Sequence, residues 1–223
     1  MSYPAAWLQG TSRGEAVACA LRLQIIQGAI RPGDVLSENR LAADFETSRS
    51  PVREALKTLS GEGLVRLERM GAVVAGLSAE EVEELYDVRF LIESFAQHRL
   101  AQGDTTALFG ELNRTIDKME LAVRHRDAVE FAGLDFGFHE AIISAAQHKR
   151  ILHLWNSIRQ IVLTVMLITT DEIFSEGTDK LEAVIEKHRA IIRGLESKDP
   201  ERILAGVREY FADSKKTLHL SLP

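Results

Sequence analysis

Three basic side chains recur at helical spacing in the first third of the sequence. Arg49, Arg53 and Lys57 stand at i, i+4 and i+8, so on a helix they form a single cationic stripe. Guanidinium groups bind guanine edges and phosphates, and a short helix with this stripe is suited to the major groove of DNA. The apolar residues of the same segment fall on a different helical face: Val52, Ala55, Leu56 and Leu59.

Small hydroxyl residues border the start of this helix. Ser48 or Ser50 can cap it and can donate hydrogen bonds to phosphates, and Pro51 falls in the first turn, where its missing N–H does no harm. A solvated amphipathic helix has the same pattern. The neighbouring elements therefore have to decide between the two interpretations.

A carboxylate and two imidazoles form a second set of reactive side chains. Asp135 and His139 are one helical turn apart and share a face, and His188 lies in a separate segment with helical periodicity. Such a set can bind a divalent metal. The alternative is a simple hydrogen bond between Asp135 and His139 on a helix surface.

A short helix and a turn are predicted before the basic helix, and two strands are predicted after it. Residues 37–45 read as a short helix with Ser37 at its start, and Glu46-Thr47 makes a tight turn into the basic helix, which predicts a helix-turn-helix. Residues 64–67 and 72–75 predict two strands of a hairpin wing with Arg69 at its tip. A preceding helix is predicted at 14–27, which completes a three-helix winged domain.

The remainder of the chain is predicted to be helical without strands. Ser78 and Glu81 form a capping box that opens a long helix. Short connections between successive helices predict an antiparallel all-α bundle, in which ligand sites lie between facing helices. The predicted helices are at about 79–102, 105–125, 128–147, 149–170, 179–197 and 200–217.

Charge is distributed unevenly between the two parts. The chain has a net charge of −6, but residues 1–76 hold nine Lys/Arg and eight Asp/Glu, a net charge of +1. DNA binding is therefore expected to depend on the local stripe and to weaken with salt. Cys19 is the one cysteine, which excludes an internal disulfide and is typical of a reducing compartment. Residues 1–10 lack the features of a signal peptide, and the apolar stretch 161–170 is too short to span a membrane.

Five short segments of the first part of the chain form a specific pattern: Arg31-Pro32-Gly33, Leu36-Ser37-Glu38, Ser48-Arg49-Ser50-Pro51-Val52-Arg53-Glu54-Ala55-Leu56, Glu62-Gly63-Leu64-Val65 and Gly71-Ala72-Val73-Val74. With these segments the chain resembles the winged helix-turn-helix of the GntR family of bacterial transcription regulators. One departure is Asn39, where the family usually has an arginine that contacts phosphate. The resemblance and the basic stripe together imply DNA contacts from Ser37, Arg40, Ser48, Arg49, Ser50, Arg53, Lys57, Arg69 and Gly71.

The helical part places charged residues and histidines in a specific order along the chain: Asp87, Arg89, Glu93, Asp135, His139, His188, Arg189 and Asp199. With these residues it resembles the FadR-type C-terminal domain, abbreviated FCD. In many FCD members an Asp and three His bind a divalent metal that helps to hold a small carboxylate effector. The resemblance implies that Asp135, His139 and His188 are ligands, whereas Tyr210 occupies the place of the third histidine, 22 residues after His188.

Tyr210 leaves two interpretations of the implied metal site. A weakened site would keep zinc, nickel or manganese on the three remaining ligands, since a phenol is a poor ligand unless the metal deprotonates it. A lost site would leave Tyr210 to hydrogen-bond the effector or His139. Arg89 is a candidate clamp for the effector carboxylate, and its alternative role is an ion pair with Glu93 one turn away. The expected effector-binding set is Arg89, Asp135, His139, His188 and Tyr210.

The expected organisation is a flexible tail at 1–10, a winged helix-turn-helix domain at 11–76 and an effector-binding and dimerisation domain at 77–223. The expected function is a cytoplasmic, ligand-responsive regulator, a repressor by family precedent, that binds a pseudo-palindromic operator in double-stranded DNA as a homodimer. No membrane partner is expected. One alternative is a metal-dependent hydrolase, although the chain lacks HExxH, a Gly-rich phosphate loop and G-x-S-x-G. Another is an interaction module that has lost DNA binding.

Overall fold

Two compact units make up the chain, Met1–Glu81 and Val82–Ser221. The computed structural model describes residues 1–69, 71–103 and 105–221, and their side chains except those of Glu176, Thr178, Asp179 and 215–221. Met70, in the predicted turn of the wing, lies outside the described residues. Within the first ten residues, predicted as a tail, the structure has a short 3-10 helix, Ala5–Leu8, with no buried residue.

The first unit is a winged helix-turn-helix. Its core lies between α1 and α3, which pack against each other. Val17, Leu21 and Ile25 of α1 point inward as predicted. The elements in chain order are α1 (Arg13–Ile26), β1 (Val35–Ser37), α2 (Glu38–Asp44), α3 (Arg49–Gly61), β2 (Val65–Glu68) and β3 (Gly71–Val74).

The wing is a three-stranded antiparallel sheet in the order β1-β3-β2, and not the two-stranded hairpin that the sequence predicted. The two hairpin strands were predicted within a residue of their ends. β1 was missed because three residues are too few to show an alternating pattern. Gly71 pairs with Ser37 of β1, and a Cβ atom at Gly71 would collide with the carbonyl oxygen of Leu36. The third strand therefore requires a glycine at this position.

A buried ion pair ties α1 to the end of α3. Arg22 donates from Nε and Nη2 to the two carboxylate oxygens of Glu62, at 2.7 and 2.6 Å. This bidentate geometry satisfies a guanidinium that is fully buried. Cys19 is buried beside it as a free thiol.

The second unit is the predicted six-helix domain. The capping box at its start is present, with Glu81 N donating to Ser78 Oγ at 3.2 Å and Ser78 N to Glu81 Oε2 at 2.7 Å. Asp127 caps a later helix by accepting from Glu130 N at 2.9 Å. The helices are α4 (Ala79–Leu100), α5 (Thr106–His125), α6 (Ala128–Ala145), α7 (Lys149–Glu176), α8 (Thr178–Glu196) and α9 (Pro200–Ser221).

The central helix α7 is longer than predicted. Its predicted end at residue 170 was wrong, because no glycine or proline occurs before Gly177 and the polar residues after Thr170 continue the helix with exposed or half-buried side chains. By length and composition alone the stretch Lys149–Ser175 could cross a membrane, but 44% of its apolar 18-residue window is buried inside the protein. Val162, Val165 and Leu167 are fully buried, as expected for the core helix of a folded domain.

Neighbouring helices of the second unit pack in sequence, α5 on α6 and α6 on α7, and α8 then packs on α5, α7 and α9. Helix α4 joins them through the ring contacts of Tyr86 and Phe90 with Phe211 of α9, at centroid distances of 6.3 and 5.6 Å. Trp155 is fully buried and stacks on Phe136. It is part of the core, as predicted.

Candidate functional site

Helix α3 presents two faces, as the spacing of its residues predicted. Its apolar face is completely buried, and all four residues predicted for it are 0–1% exposed. Ser48 occupies the capping position but makes no side-chain cap hydrogen bond, and both Ser48 and Ser50 are exposed. Their hydroxyl groups are therefore accessible to a partner.

The basic stripe lies on the accessible side of α3. The side chains of Arg49 and Arg53 are 41% and 55% exposed, and Lys57 is exposed. Burial of the opposite face fixes this orientation, because rotating the helix would bury three cations. The structure thus brings the two predicted arginines together on one surface.

Glu38, which sequence reasoning did not assign to the site, lies between the two arginines. Arg49 donates to Glu38 Oε2 from Nη2 at 2.6 Å and from Nε at 3.0 Å. Arg53 donates from Nε to both oxygens of Glu38 at 2.9 Å. The hydrogen bonds from Arg53 and then Arg49 lower the pKa of the Glu38 carboxyl, despite partial desolvation. The sequence signal that could have placed Glu38 in the site is its position as an acidic residue in the first turn of α2, the helix that precedes the basic helix.

The other predicted DNA contacts occupy different environments. Ser37 is half-buried at the junction of β1 and α2, and Arg40 is 84% exposed with its Nε 3.7 Å from Asp44. Arg69 is exposed beside the wing turn. Gly71 is buried against β1, where a side chain would collide with the carbonyl oxygen of Leu36. Contacts of these residues with DNA stay predictions.

The predicted metal ligands of the second unit converge in its interior. One ligand atom from each of Asp135, His139 and His188 lies within 4.8 Å of the other two. Asp135 Oδ1 is 2.8 Å from His188 Nε2 and 3.5 Å from His139 Nε2. All three residues are buried. The Asp135–His139 pair is therefore not the surface hydrogen bond that was the alternative interpretation.

A hydrogen bond at Nδ1 orients each of the two imidazole rings. His188 Nδ1 lies 2.8 Å from the Val184 carbonyl oxygen, and His139 Nδ1 lies 2.6 Å from Glu93 Oε2. Such partners fix the tautomer and leave Nε2 to face the ligand position, as in many metal sites. His139 Nε2 has no hydrogen-bond partner among the described residues. One oxygen and two nitrogens with this orientation fit a zinc, nickel or manganese ion.

Glu93 connects the cluster to Arg89. Arg89 Nε donates to Glu93 Oε1 at 2.7 Å, and both side chains are buried. The ion pair that was the alternative role for Arg89 is therefore present. Arg89 also keeps a buried Nη2 atom with no hydrogen-bond partner in the described part of the chain. Glu93 follows Arg89 by one helical turn, so the sequence already indicated that these two side chains could pair.

The charges of the cluster stabilise one another. Burial alone would raise the pKa of Asp135, but His188 and His139 lower it well below its usual range. Burial likewise opposes ionisation of Glu93, but His139 and Arg89 lower its pKa. Burial disfavours the charged form of His139, and the Glu93 carboxylate reverses this effect and raises the pKa of His139.

Tyr210 lies beside both histidines, in the place predicted from the resemblance. Its ring centroid is 4.8 Å from that of His139 and 5.7 Å from that of His188. It makes no hydrogen bond to His139, since Nδ1 of His139 bonds Glu93 and Nε2 of His139 has no hydrogen-bond partner among the described residues. Burial, and then the Asp135 carboxylate, raise the pKa of Tyr210 well above 10, so the phenol is protonated and is a weak metal ligand.

A cavity of about 60 Å³ adjoins the cluster between α4, α6, α7, α8 and α9. Arg89, Asp135 and Tyr210 line it together with hydroxyl and amine groups from other helices, including Thr170, Lys187 and Ser214. Lys187 Nζ is paired with Asp213 Oδ2 at 3.2 Å. The lining combines two cations, a carboxylate, several hydroxyl groups and apolar side chains.

A winged helix-turn-helix with an exposed basic stripe, followed by a helical domain with an internal cavity, is the architecture of ligand-responsive transcription regulators. Residues 13–74 match the model of the gntR family of bacterial regulatory proteins, and residues 84–213 match the FCD domain. The chain therefore belongs to the GntR family of bacterial transcription regulators and carries an FCD effector-binding domain. This result confirms the resemblance inferred from the sequence.

Its relatives are transcription regulators and not enzymes. The chain is 39% identical over 211 residues to the gluconate operon transcriptional repressor of Bacillus licheniformis, covering 95% of this chain and 87% of the relative. It is 29% identical over 180 residues to a probable D-xylose utilization operon transcriptional repressor of Paenarthrobacter nicotinovorans, covering 80% and 76%. These relatives argue against the hydrolase alternative.

Solved structures agree with the fold. A GntR regulator from Rhodococcus sp. RHA1, described as a putative transcriptional regulator, is 28% identical with a TM-score of 0.66, covering 94% of this chain and 98% of that one. E. coli McbR/YncC has a TM-score of 0.72 at 22% identity, covering 94% and 98%. At this identity the second likeness concerns the fold alone.

Proposed function

We propose that this chain is a repressor that binds a pseudo-palindromic operator as a homodimer in the bacterial cytoplasm and releases it when a sugar acid enters the FCD cavity. The observation that carries the effector part is the buried Nη2 of Arg89, which belongs to the cavity lining and has no hydrogen-bond partner among the described residues. A buried donor without a partner is costly, and a carboxylate would satisfy it.

DNA recognition is assigned to α3 and the wing. Arg49, Arg53 and Lys57 would face the major groove, and the exposed Ser48 and Ser50 would donate to phosphates. Arg69 would contact DNA from the wing. The exposed cationic stripe on a completely buried apolar support is the arrangement that supports this assignment.

A homodimer is proposed because one recognition helix reads too few base pairs to find its operator in a genome. Helix α4 offers a surface for it. Val88, Leu91 and Phe95 stand at i, i+3 and i+7 and are 41%, 66% and 41% exposed. An apolar stripe on one face can pair with its own copy across a two-fold axis.

A sugar acid is proposed as effector from the cavity and from the relatives together. Two relatives at 39% identity are named gluconate operon transcriptional repressor. Gluconate offers one carboxylate for Arg89 and several hydroxyl groups for Thr170, Ser214 and Tyr210. The match of functional groups supports a six-carbon aldonate over an uncharged acyl chain, which would leave Arg89 Nη2 without an acceptor.

A divalent metal, when bound, would be held by Asp135, His139 and His188 and would add a positive charge that attracts the effector carboxylate. The outer hydrogen bonds from Glu93 and Val184 support these ligands. Tyr210 in place of a third histidine supports a weaker site than one with four protein ligands.

The small volume of the cavity provides a route for regulation. A volume of about 60 Å³ is small for a sugar acid, since ligand pockets usually measure about 300–1,000 Å³. Effector binding would have to displace the lining helices, and a displaced α4 would alter the dimer and the spacing of its recognition helices. A coupling of about 1–3 kcal/mol would change operator affinity about 5- to 150-fold.

The test is a binding titration of labelled DNA from the promoter of the chain's own gene, followed by fluorescence anisotropy, with and without gluconate. Gluconate is expected to weaken binding about 5-fold or more, whereas glucose, which lacks the carboxylate, should have no effect. Arg89→Lys keeps the charge but loses the planar fork, and it should reduce the response to gluconate.

The matched control is Arg159→Lys, since Arg159 pairs with Glu140 outside the cavity lining. It should respond to gluconate as the wild type does. Operator affinity that is unchanged by gluconate and by related aldonates would refute the effector assignment. A wild-type protein that binds promoter and random DNA equally would refute the regulator assignment.

A further inference from the structure

Glu38 forms ion pairs with both arginines of the proposed recognition helix α3. One carboxylate with a side chain only 10% exposed accepts from two guanidinium groups that are themselves about half exposed. Glu38 lies in the first turn of α2, whereas Arg49 and Arg53 are 11 and 15 residues further along the chain, on α3. The contact therefore spans both helices of the helix-turn-helix.

We propose that Glu38 is a positioning residue that holds Arg49 and Arg53 in a reading conformation and reduces their attraction to DNA of the wrong sequence. The proposal rests on the function assigned above, in which these arginines contact the operator. It adds a residue that acts through the arginines and does not itself touch the bases.

The hydrogen bonds select which donors remain for DNA. Glu38 accepts from Nε of both arginines and also from Nη2 of Arg49. In Arg53 it binds Nε alone, so the terminal Nη1 and Nη2 edge of that side chain is directed away from Glu38. Bidentate recognition of guanine requires two parallel N–H donors of this kind. An arginine that is already ordered loses less side-chain freedom when it binds, so specific affinity increases.

The negative charge of Glu38 reduces the affinity of the two arginines for DNA of random sequence. Two guanidinium groups and one carboxylate carry a net charge of +1, whereas the pair without Glu38 would carry +2. Binding to random DNA depends on the number of phosphates that are neutralised, and each additional cation strengthens it. Glu38 thus weakens non-specific binding while it supports specific binding, and discrimination between sequences is the difference of the two.

The test compares wild type, Glu38→Gln and Glu46→Gln in the full-length protein. Gln has the size of Glu but loses the charge, and its amide nitrogen cannot accept from a second arginine. Glu46 is an exposed acid in the turn of the same motif, so Glu46→Gln makes the same charge change without touching the arginines. Affinity is measured for promoter DNA and for random DNA over a range of salt concentrations.

Glu38→Gln is expected to lose about 10-fold in affinity for promoter DNA. Its affinity for random DNA should stay equal or rise, and the salt slope of random binding should steepen by about one. Glu46→Gln should leave the ratio between the two DNAs near that of wild type. An unchanged ratio between the two affinities in Glu38→Gln overturns the proposal, whether both affinities fall equally, as in a purely structural defect, or neither changes.

A second measurement needs no DNA and separates this proposal from the regulator assignment. In the free wild-type protein, the Nε–H signals of Arg49 and Arg53 in a nitrogen-proton NMR spectrum should exchange slowly with water, compared with that of the exposed Arg66. Both should lose this protection in Glu38→Gln. Fast exchange in wild type would show that Glu38 does not hold the arginines, whatever the protein binds.

Discussion

The Nδ1 atom of His139 lies 2.6 Å from the Oε2 atom of Glu93, although 46 residues separate them in the chain. The other oxygen of Glu93 accepts from Arg89. Glu93 therefore joins the carboxylate clamp proposed at Arg89 to the metal-ligand set proposed at His139. A substitution at Arg89 should therefore affect metal binding at His139, and the reverse, because both side chains depend on one buried carboxylate.

Glu93→Ala is expected to destabilise the protein by about 3–5 kcal/mol, since it leaves the buried charge of Arg89 without its partner. Urea denaturation monitored by circular dichroism measures this loss. Glu186→Ala serves as control, because Glu186 pairs with arginines on an exposed surface, and it should have little effect. Equal destabilisation by the two substitutions would contradict the role of Glu93.

Tyr210→His is expected to strengthen metal binding about 10- to 100-fold. An imidazole is a good metal ligand, whereas the protonated phenol of Tyr210 is a weak one. Elemental mass spectrometry of the purified proteins, and zinc titration against a competing chelator, measure the difference. If neither protein binds zinc, nickel or manganese, the assignment of Asp135, His139 and His188 as ligands is wrong.

Arg49→Ala and Arg53→Ala should each weaken promoter binding by about 1–3 kcal/mol, the range for a lost bidentate base contact. Thermal unfolding of the helical domain should be unchanged, because both side chains lie on the surface of the other unit. A gel-shift titration measures affinity. Wild-type affinity in both variants would exclude α3 as the reading helix.

Leu91→Glu should convert the proposed dimer into a monomer, since it places two like charges opposite each other in an apolar interface. Analytical ultracentrifugation measures the mass, and promoter affinity should fall with dimer loss because two half-sites no longer bind together. Leu121→Glu, at a residue of α5 that is 44% exposed, is the control and should stay dimeric. A dimeric Leu91→Glu would place the interface elsewhere.

The stability difference between wild type and Glu38→Gln should depend on pH. Arg53 and Arg49 lower the pKa of Glu38, so its charged form stabilises the folded state above the ordinary carboxyl pKa of 4.5. This advantage should be complete at pH 7 and decline as the pH falls below about 4.5 and through the lowered pKa. Melting temperatures between pH 7 and 3 measure it, and a pH-independent difference would argue against an ionic contact.

Much of the fold follows from local patterns that the sequence displays directly. The apolar and basic faces of α3 share one helix, so their separation depends only on 3.6 residues per turn. The capping box at Ser78 and Glu81 and the predicted order of six helices depend on similarly short-range rules. Asp135 and His139 share a face for the same reason.

The placement of Tyr210 beside the two histidines came from resemblance to the FCD family and not from spacing, since three separate helices meet there. Strand β1 and the length of α7 escaped prediction for different reasons. A three-residue strand exists only through its pairing with β3, whereas the end of α7 was read from polar residues that a helix tolerates on its surface.

The sequence by itself determined the winged helix-turn-helix, the helical domain and which side chains share a face, because neighbours along a helix keep fixed geometry. Only the tertiary structure decided that Glu38 lies between Arg49 and Arg53, and that Glu93 joins Arg89 to His139. These contacts join separate helices, and their distances depend on how the helices pack. No pattern within a single helix encodes that packing.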